Sequence, residues 1–435
     1  MTTTLFGQLF LLFLLLSIST RLWLTVRHAR HVGAHRDQVP PAFAEHISLT
    51  DHQKAADYTR AKCSLAIWET LADGIFLLAL TQGGVLNAIA ITLQSVFGTG
   101  YLCGLALFAA SGLISAIMSL PFSLYRTFVL EARFGFNQMT WRLWITDGVK
   151  GLALAIALGT PLLLCALWLM DAMGEHWWLY VWAVWLGFNL LMLAIYPSFI
   201  APLFNKFTPL EDAALKERIT TLLSRCGFAS SGLFVMDGSR RSSHGNAYFT
   251  GMGKAKRIVF FDTLLKHLQG PEIEAVLAHE LGHFHFRHVT KRIVVMAFVS
   301  LVLLRVLAWL MTQDWFYLGL GVQLGAGGMQ YPVAGTAMAL LLFSLVLPVF
   351  LFPVAPLFAA LSRRDEFQAD AYAVTHASAA DLTRALVKLY RDNAATLTPD
   401  PLYSLFHDSH PPASVRIGRI AQTANGQPLP AGQSA

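Results

Sequence analysis

The chain has 435 residues, of which 55% are hydrophobic and only 13% charged. Mean hydropathy is +0.52, which excludes an ordinary soluble domain with its roughly 25% of charged residues. The formal net charge of +6 reads as basic loops facing anionic lipid; membrane lipid is an expected partner and nucleic acid is not.

Seven apolar runs follow in chain order, at 5–24, 63–80, 101–124, 151–170, 177–200, 293–311 and 333–361. Each is long enough to cross the hydrocarbon core of a bilayer. The first lacks a basic leader and a small-residue cleavage site, so it reads as a retained anchor rather than a signal peptide. Glu69 and Asp73 interrupt the second. The glycine-bearing stretches 82–100 and 318–328 read as loops on the outer side. Arg305 stands inside the sixth run. An arginine there needs protein or water beside it, so it is expected to line a hydrated cavity or to pair with Glu69 or Asp73. Pro348, Pro353 and Pro356 predict a kink in the last run.

Residues 1–4, 82–100, 171–176 and 312–332 contain no Lys or Arg, whereas 25–62 and 125–150 are rich in both. Alternation through seven spans then places the N-terminus outside and the C-terminus in the cytosol. The four cysteines, Cys63, Cys103, Cys165 and Cys226, are scattered without metal-type pairing and read as reduced thiols.

The largest non-membrane segment is 201–292. It predicts a helix at 215–226, strands at 232–237, 247–250 and 257–261, a turn at 251–253 and a short helix at 263–268. Then comes AVLAHELGHF at 275–284, with the five residues His279-Glu280-Leu281-Gly282-His283 at its centre. Pro271, Glu272 and Glu274 mark the helix start. On a helix, His279 and His283 share one face, where two imidazoles can grip one zinc ion. Glu280 then lies beside the open position and can take a proton from water. His285 and His288 do not share that face with His279 and read as solvated. A small sheet beside a metal-binding helix is the zincin layout, and its edge strand can accept an extended peptide.

A catalytic zinc needs three protein ligands. The best downstream candidate is Glu366 in EFQAD at 366–370. Asp370, one turn later, is placed to hold the free N–H of a ligand histidine. One Zn2+ per chain is expected. The tail from about 423 to 435 reads as disordered.

Several further blocks carry a resemblance. They are EARFGFNQMT at 131–140, PLFNKFTPL at 202–210, DGSRRSSHGNAYFTG at 237–251 and SHPP at 409–412 with Arg416. Together with the histidine helix and EFQAD, they make the chain similar to the CAAX prenyl proteases of type 1, a family of membrane zinc metalloproteases. The resemblance implies seven transmembrane helices around a water-filled chamber. It matches His279, His283 and Glu366 to the zinc ligands and Glu280 to the general base. It gives His410 as a donor to the oxyanion and Asn246 as a substrate contact on its strand. Tyr248, two residues on, reads as a wall residue on the same side. Arg416 joins Asp370 as a support behind the ligands, and His244 reads as structural. The substrate implied is a prenylated C-terminus that loses its last three residues.

The fold expected is thus a predominantly α membrane protein, with seven transmembrane helices around a chamber and a small α+β zincin-like cytosolic domain. The expected division is 1–200 for membrane helices one to five, 201–292 for the zinc-protease insert and 293–361 for helices six and seven. Residues 362–422 form a helical part carrying the third ligand, and 423–435 the tail. Three competing readings stay open: a quality-control protease for unprenylated or damaged membrane proteins, an intramembrane zinc protease, and a non-enzymatic transporter or channel. Charges on the histidine helix (Glu272, Glu274) and its place before a span argue against the intramembrane class. The tail carries no Lys- or Arg-based retrieval signal, so a bacterial inner membrane is expected over the endoplasmic reticulum.

Overall fold

A computed structural model describes residues 1–250, 257–323 and 332–426. Seven helices are long and apolar enough to cross a membrane: Thr3–Ala34, Leu49–Leu80, Tyr101–Glu131, Trp141–Ala172, Gly174–Phe204, His288–Leu310 and Gly335–His376. They match the seven expected runs. Most extend past the apolar stretch because their polar ends are still good helix formers in water. The Ser48 hydroxyl, for example, accepts the Asp51 N–H at 3.1 Å and starts the second span well before its apolar part.

The fourth, fifth and sixth spans bury only 11%, 6% and 6% of their apolar windows, whereas the seventh buries 50%. The first set therefore shows apolar side chains around most of its circumference, as lipid contact requires. A cavity of 460 Å³ lies between the first two spans and the segment from Tyr390 to Pro412.

Three expectations need correction. The stretch 82–100 is not all loop, because Val85–Phe97 is a helix. Gly84 and Gly98 bracket it with φ of +72° and +69°, so the glycines punctuate a helix. Arg305 pairs with neither Glu69 nor Asp73. Glu69 is taken by Arg126, and the Arg305 guanidinium lies 5.9 Å from the Trp178 ring centre. The fifth and sixth spans are neighbours, tied by a 2.8 Å bond from Trp182 Nε1 to the Ala297 carbonyl, so an aromatic ring rather than an acid faces Arg305. His288 is not solvated: it is only 2% exposed. The proline kink is present, as a single 3-10 turn at Phe352–Val354 between Pro332–Leu351 and Ala355–His376.

The extramembrane part is built on a four-stranded sheet. Its strands are β1 (Phe207–Pro209), β2 (Leu233–Met236), β3 (Ala247–Thr250) and β4 (Arg257–Phe261), in the order β1-β2-β4-β3. Only β2 and β4 run parallel. The strand β1 escapes sequence reading because it is three residues long and ends in proline, which an edge position tolerates. The turn expected at 251–253 lies outside the described residues.

Six helices make up the rest of this part: α1 (Ala213–Arg225), α2 (Gly270–His285), α3 (Ala355–His376), α4 (Ala379–Asp392), α5 (Pro401–His407) and α6 (Ala413–Ala424). The start of α2 is fixed by Pro271 in its first turn and by the Glu272 carboxylate. That carboxylate accepts the Gln269 N–H at 2.7 Å and Lys388 Nζ at 2.7 Å. Leu215 and Ile219 of α1, Phe260 of β4, Ile273, Leu277 and Leu281 of α2, and Leu382 and Leu386 of α4 form one buried core. Helix α3 runs unbroken across positions 361 and 362. The end of the seventh span and the segment carrying Glu366 are therefore one rigid piece.

Candidate active site

Helices α2 and α3 touch through Gly282. A Cβ on Gly282 would stand 2.8 Å from Ala369 Cα and 3.1 Å from the Ala369 carbonyl oxygen. Only a bare α-carbon allows this approach. It brings Glu366 against the two histidines. His279 Nε2 and His283 Nε2 lie 3.3 Å apart. Glu366 Oε2 is 3.5 Å from His279 Nε2, and Oε1 is 3.4 Å from His283 Nε2.

These three separations test whether a metal fits. A tetrahedral zinc with ligands at about 2.0–2.1 Å has ligand–ligand edges of about 3.3–3.4 Å. The two imidazole nitrogens already have that edge, and the Glu366 carboxylate meets each of them with one of its two oxygens, so the three side chains converge closely enough to hold one ion. Glu366 Oε2 is also buried without a hydrogen-bond partner among the described residues. Such an acceptor is costly unless a cation satisfies it. Arg416 Nη1 stands 3.7 Å from it, beyond hydrogen-bond reach.

The tautomers point the same way. His279 Nδ1 is 2.8 Å from Asp370 Oδ1, so its proton sits there and the Nε2 lone pair faces the trio. Asp370 is held by both prongs of Arg416, at 2.8 and 2.6 Å. Burial alone would lower the His279 imidazole. The Asp370 and Glu366 carboxylates outweigh it and push it up to about 9, so the pocket favours positive charge at this point.

His283 is set by a relay. His288 Nε2 donates to Gln368 Oε1 at 3.0 Å, so its Nδ1 is left to accept from His283 Nδ1 at 3.0 Å. The His283 Nε2 lone pair is thereby aimed at the trio. Sequence reasoning missed His288 and Gln368. On a continuous helix, His288 would turn away from His283. Arg287 instead adopts a left-handed conformation, φ +54°, which ends α2 and folds His288 back. No local signal announces that turn.

Two family profiles match the chain. One is described as "CAAX prenyl protease N-terminal, five membrane helices" and matches residues 28–206; the other is "Peptidase family M48" and matches 209–424. The CAAX prenyl protease 1 of Saccharomyces cerevisiae is 35% identical over 400 residues, covering 87% of this chain and 88% of the relative. A homologue from Homo sapiens is 30% identical, with 93% of each chain covered. The crystal structure of S. mikatae Ste24p superposes with a TM-score of 0.88 at 32% identity, covering 95% of this chain and 99% of that one. The chain belongs to the CAAX prenyl protease family. It is an integral, multi-pass membrane protease.

Of the remaining predicted residues of this family member, His410 reaches the trio, whereas His244, Asn246 and Tyr248 lie in or beside strand β3. Glu280 is half-buried on α2, and its carboxylate makes no hydrogen bond or ion pair among the described residues. His410 Nε2 stands 3.4 Å from Glu366 Oε1, with its ring 62% exposed. Asn246 is exposed at the start of edge strand β3, and its Oδ1 accepts the Ala247 N–H at 2.8 Å. The Asn246 carbonyl accepts from Phe261 N–H. By antiparallel alternation, Ala247 and Phe249 turn their backbone groups toward the free edge. The Phe249 ring packs 5.0 Å from Phe284 of α2. Tyr248 therefore points to the opposite sheet face, away from α2. His244 is tied into the scaffold, with Nδ1 3.1 Å from Asn393 Oδ1 and Nε2 3.5 Å from Glu131 Oε2.

Asp370→Ala leaves the buried Arg416 guanidinium without its bidentate partner. The expected cost is about 3–5 kcal/mol, read as a lower melting temperature in detergent. An unchanged melt would show that Arg416 finds another partner.

Proposed function

We propose that the protease is a zinc endopeptidase acting near the C-terminus of prenylated CAAX proteins. The observation that carries this reading is the convergence of His279, His283 and Glu366 as three close donors, inside a chain that is similar throughout to CAAX prenyl proteases. His279, His283 and Glu366 would hold a zinc ion, which would supply Lewis-acid polarisation of the scissile carbonyl and a more acidic water. Glu280 takes the water proton and delivers it to the leaving amine. His410 donates to the developing oxyanion. Asp370, Arg416 and the His288 relay hold the imidazoles in the ligating tautomer. Asn246 and the free edge of β3 align the substrate backbone.

The Lys and Arg distribution supports an active site on the cytosolic side. The eukaryotic origin of the relatives named above supports an endoplasmic-reticulum type of membrane over the bacterial inner membrane that the tail suggests. A transporter has no use for a complete ligand trio, and α2 ends before the sixth span begins, which argues against an intramembrane site.

The test is zinc per chain in detergent, with cleavage of matched farnesylated and unprenylated peptides. Cleavage of the farnesylated peptide alone establishes the CAAX reading. Equal cleavage of both favours a general membrane-protein protease. Glu366→Ala removes one of three ligands and is expected to drop metal content well below one per chain after dialysis; unchanged stoichiometry would remove Glu366 from the ligand set.

A further inference from the structure

The cavity of 460 Å³ reaches the active site through His410 and is also lined by Lys62, His28, Tyr403, His407 and Asp408. Tyr403 forms the middle of a three-ring stack, 4.1 Å from His28 and 4.2 Å from His407. This wall is rigid. Lys62 projects from the second span into the same space, with Nζ 4.2 Å from the Tyr58 ring centre.

Lys62 has no carboxylate in ion-pair range among the described residues. The nearby bases differ: Arg27 pairs with Asp400, Arg36 with Asp57 and Arg126 with Glu69. Glu131 attracts Lys62 only from beyond ion-pair range; one of its oxygens accepts the Tyr58 hydroxyl and the other lies 3.5 Å from His244 Nε2. The Lys62 side chain is exposed toward this space, so its charge is open to an anion that enters. The cavity offers a second donor. His28 Nδ1 accepts the Asp400 N–H at 3.2 Å, so the neutral ring carries its proton on Nε2. Asp408 is the acid among the lining residues. Burial raises its carboxyl, and His407 and Arg363 offset its charge.

We propose that this cavity binds the free α-carboxylate at the substrate's C-terminus, with Lys62 as its main partner. The inference rests on the reading that the protease cuts near a C-terminus. Every substrate cut three residues from its end carries one anion in common at that distance, and side-chain acids do not share this property. Three extended residues span about 10 Å, and the cavity volume lies in the range of about 300–1,000 Å³ typical of small-ligand sites. Lys62 would thus act as a ruler. It fixes the distance from the chain end to the scissile bond, and it holds the released tripeptide until product leaves.

The experiment compares one farnesylated peptide ending in a carboxylate with the same peptide ending in an amide. The wild type is expected to prefer the acid by roughly ten- to hundredfold in kcat/KM, the worth of a charged hydrogen bond, chiefly through KM. In Lys62→Met, which keeps the stem against Tyr58, the acid-to-amide ratio is expected to collapse to about one. Lys62→Arg should retain most of it. No preference in the wild type, or an equal loss on both peptides in Lys62→Met, overturns the proposal. The unprenylated pair is run alongside. Failure to cleave the farnesylated peptide with a preserved acid preference on the unprenylated one would overturn the CAAX reading and keep this one. Calorimetric binding of the free tripeptide, acid against amide, to the Glu280→Gln protein gives a readout independent of turnover. Equal binding of both there also counts against Lys62.

Discussion

Glu280→Gln is expected to lower cleavage by about 10²–10⁴-fold, the usual worth of a general base, while metal content stays unchanged. The two halves of this result come from different observations. Glu280 lies outside the trio of mutually close donors formed by His279, His283 and Glu366. The amide has the volume of the acid and does not disturb the helix. Glu280 is half-buried beside that trio with no hydrogen bond or ion pair among the described residues, so its work is done on water and substrate. Single-turnover rates and metal analysis on the same preparation check both halves. A variant that still cleaves within tenfold of wild type would remove Glu280 from the proton path. A variant that loses metal would make it a ligand.

Gly282→Ala carries the second large effect, and it acts from outside the trio. The added methyl would meet Ala369 Cα at 2.8 Å and Tyr372 Cβ at 3.1 Å. Ala369 is backbone on a packed helix and cannot swing aside. Overpacking of this kind costs about 1–3 kcal/mol. The functional cost is larger. His283 follows Gly282 on α2, and Glu366 lies one turn before Ala369 on α3. Separating the helices by a few tenths of an ångström opens the His–Glu edges, and ligand distances tolerate only about 0.2 Å. More than tenfold weaker metal retention with matching loss of activity is expected. Gly187→Ala is the control, because its Cβ would meet nothing within 4 Å. A Gly282→Ala protein with full metal and full activity would show that α2 and α3 can separate without moving the donors.

Much of the fold is legible in the sequence for simple reasons. A bilayer demands a minimum length of apolar helix, and seven runs meet it. Strands β3 and β4 were read at their observed limits because branched and aromatic residues there end at turn signals. The short helix Val85–Phe97 was not legible, since two bracketing glycines look the same whether they cap a helix or fill a loop. The pairing of Arg305 was not legible either. Which residue meets a charge inside a span depends on which helices are neighbours, and hydropathy does not encode that.

Spacing alone puts His279 and His283 on one helix face, because four residues of an α-helix return to the same side. It also marked Glu366 and Asp370 as partners on a second helix. Long-range packing brings these two helices into contact, through the missing side chain of Gly282. Packing also folds His288 onto His283 through a left-handed Arg287, sets Arg416 on Asp370, and leaves Lys62 facing a cavity with no carboxylate in ion-pair range among the described residues. Helical periodicity is a property of neighbouring residues and can be read locally. Contacts between segments far apart in the chain depend on packing, and no local pattern records them.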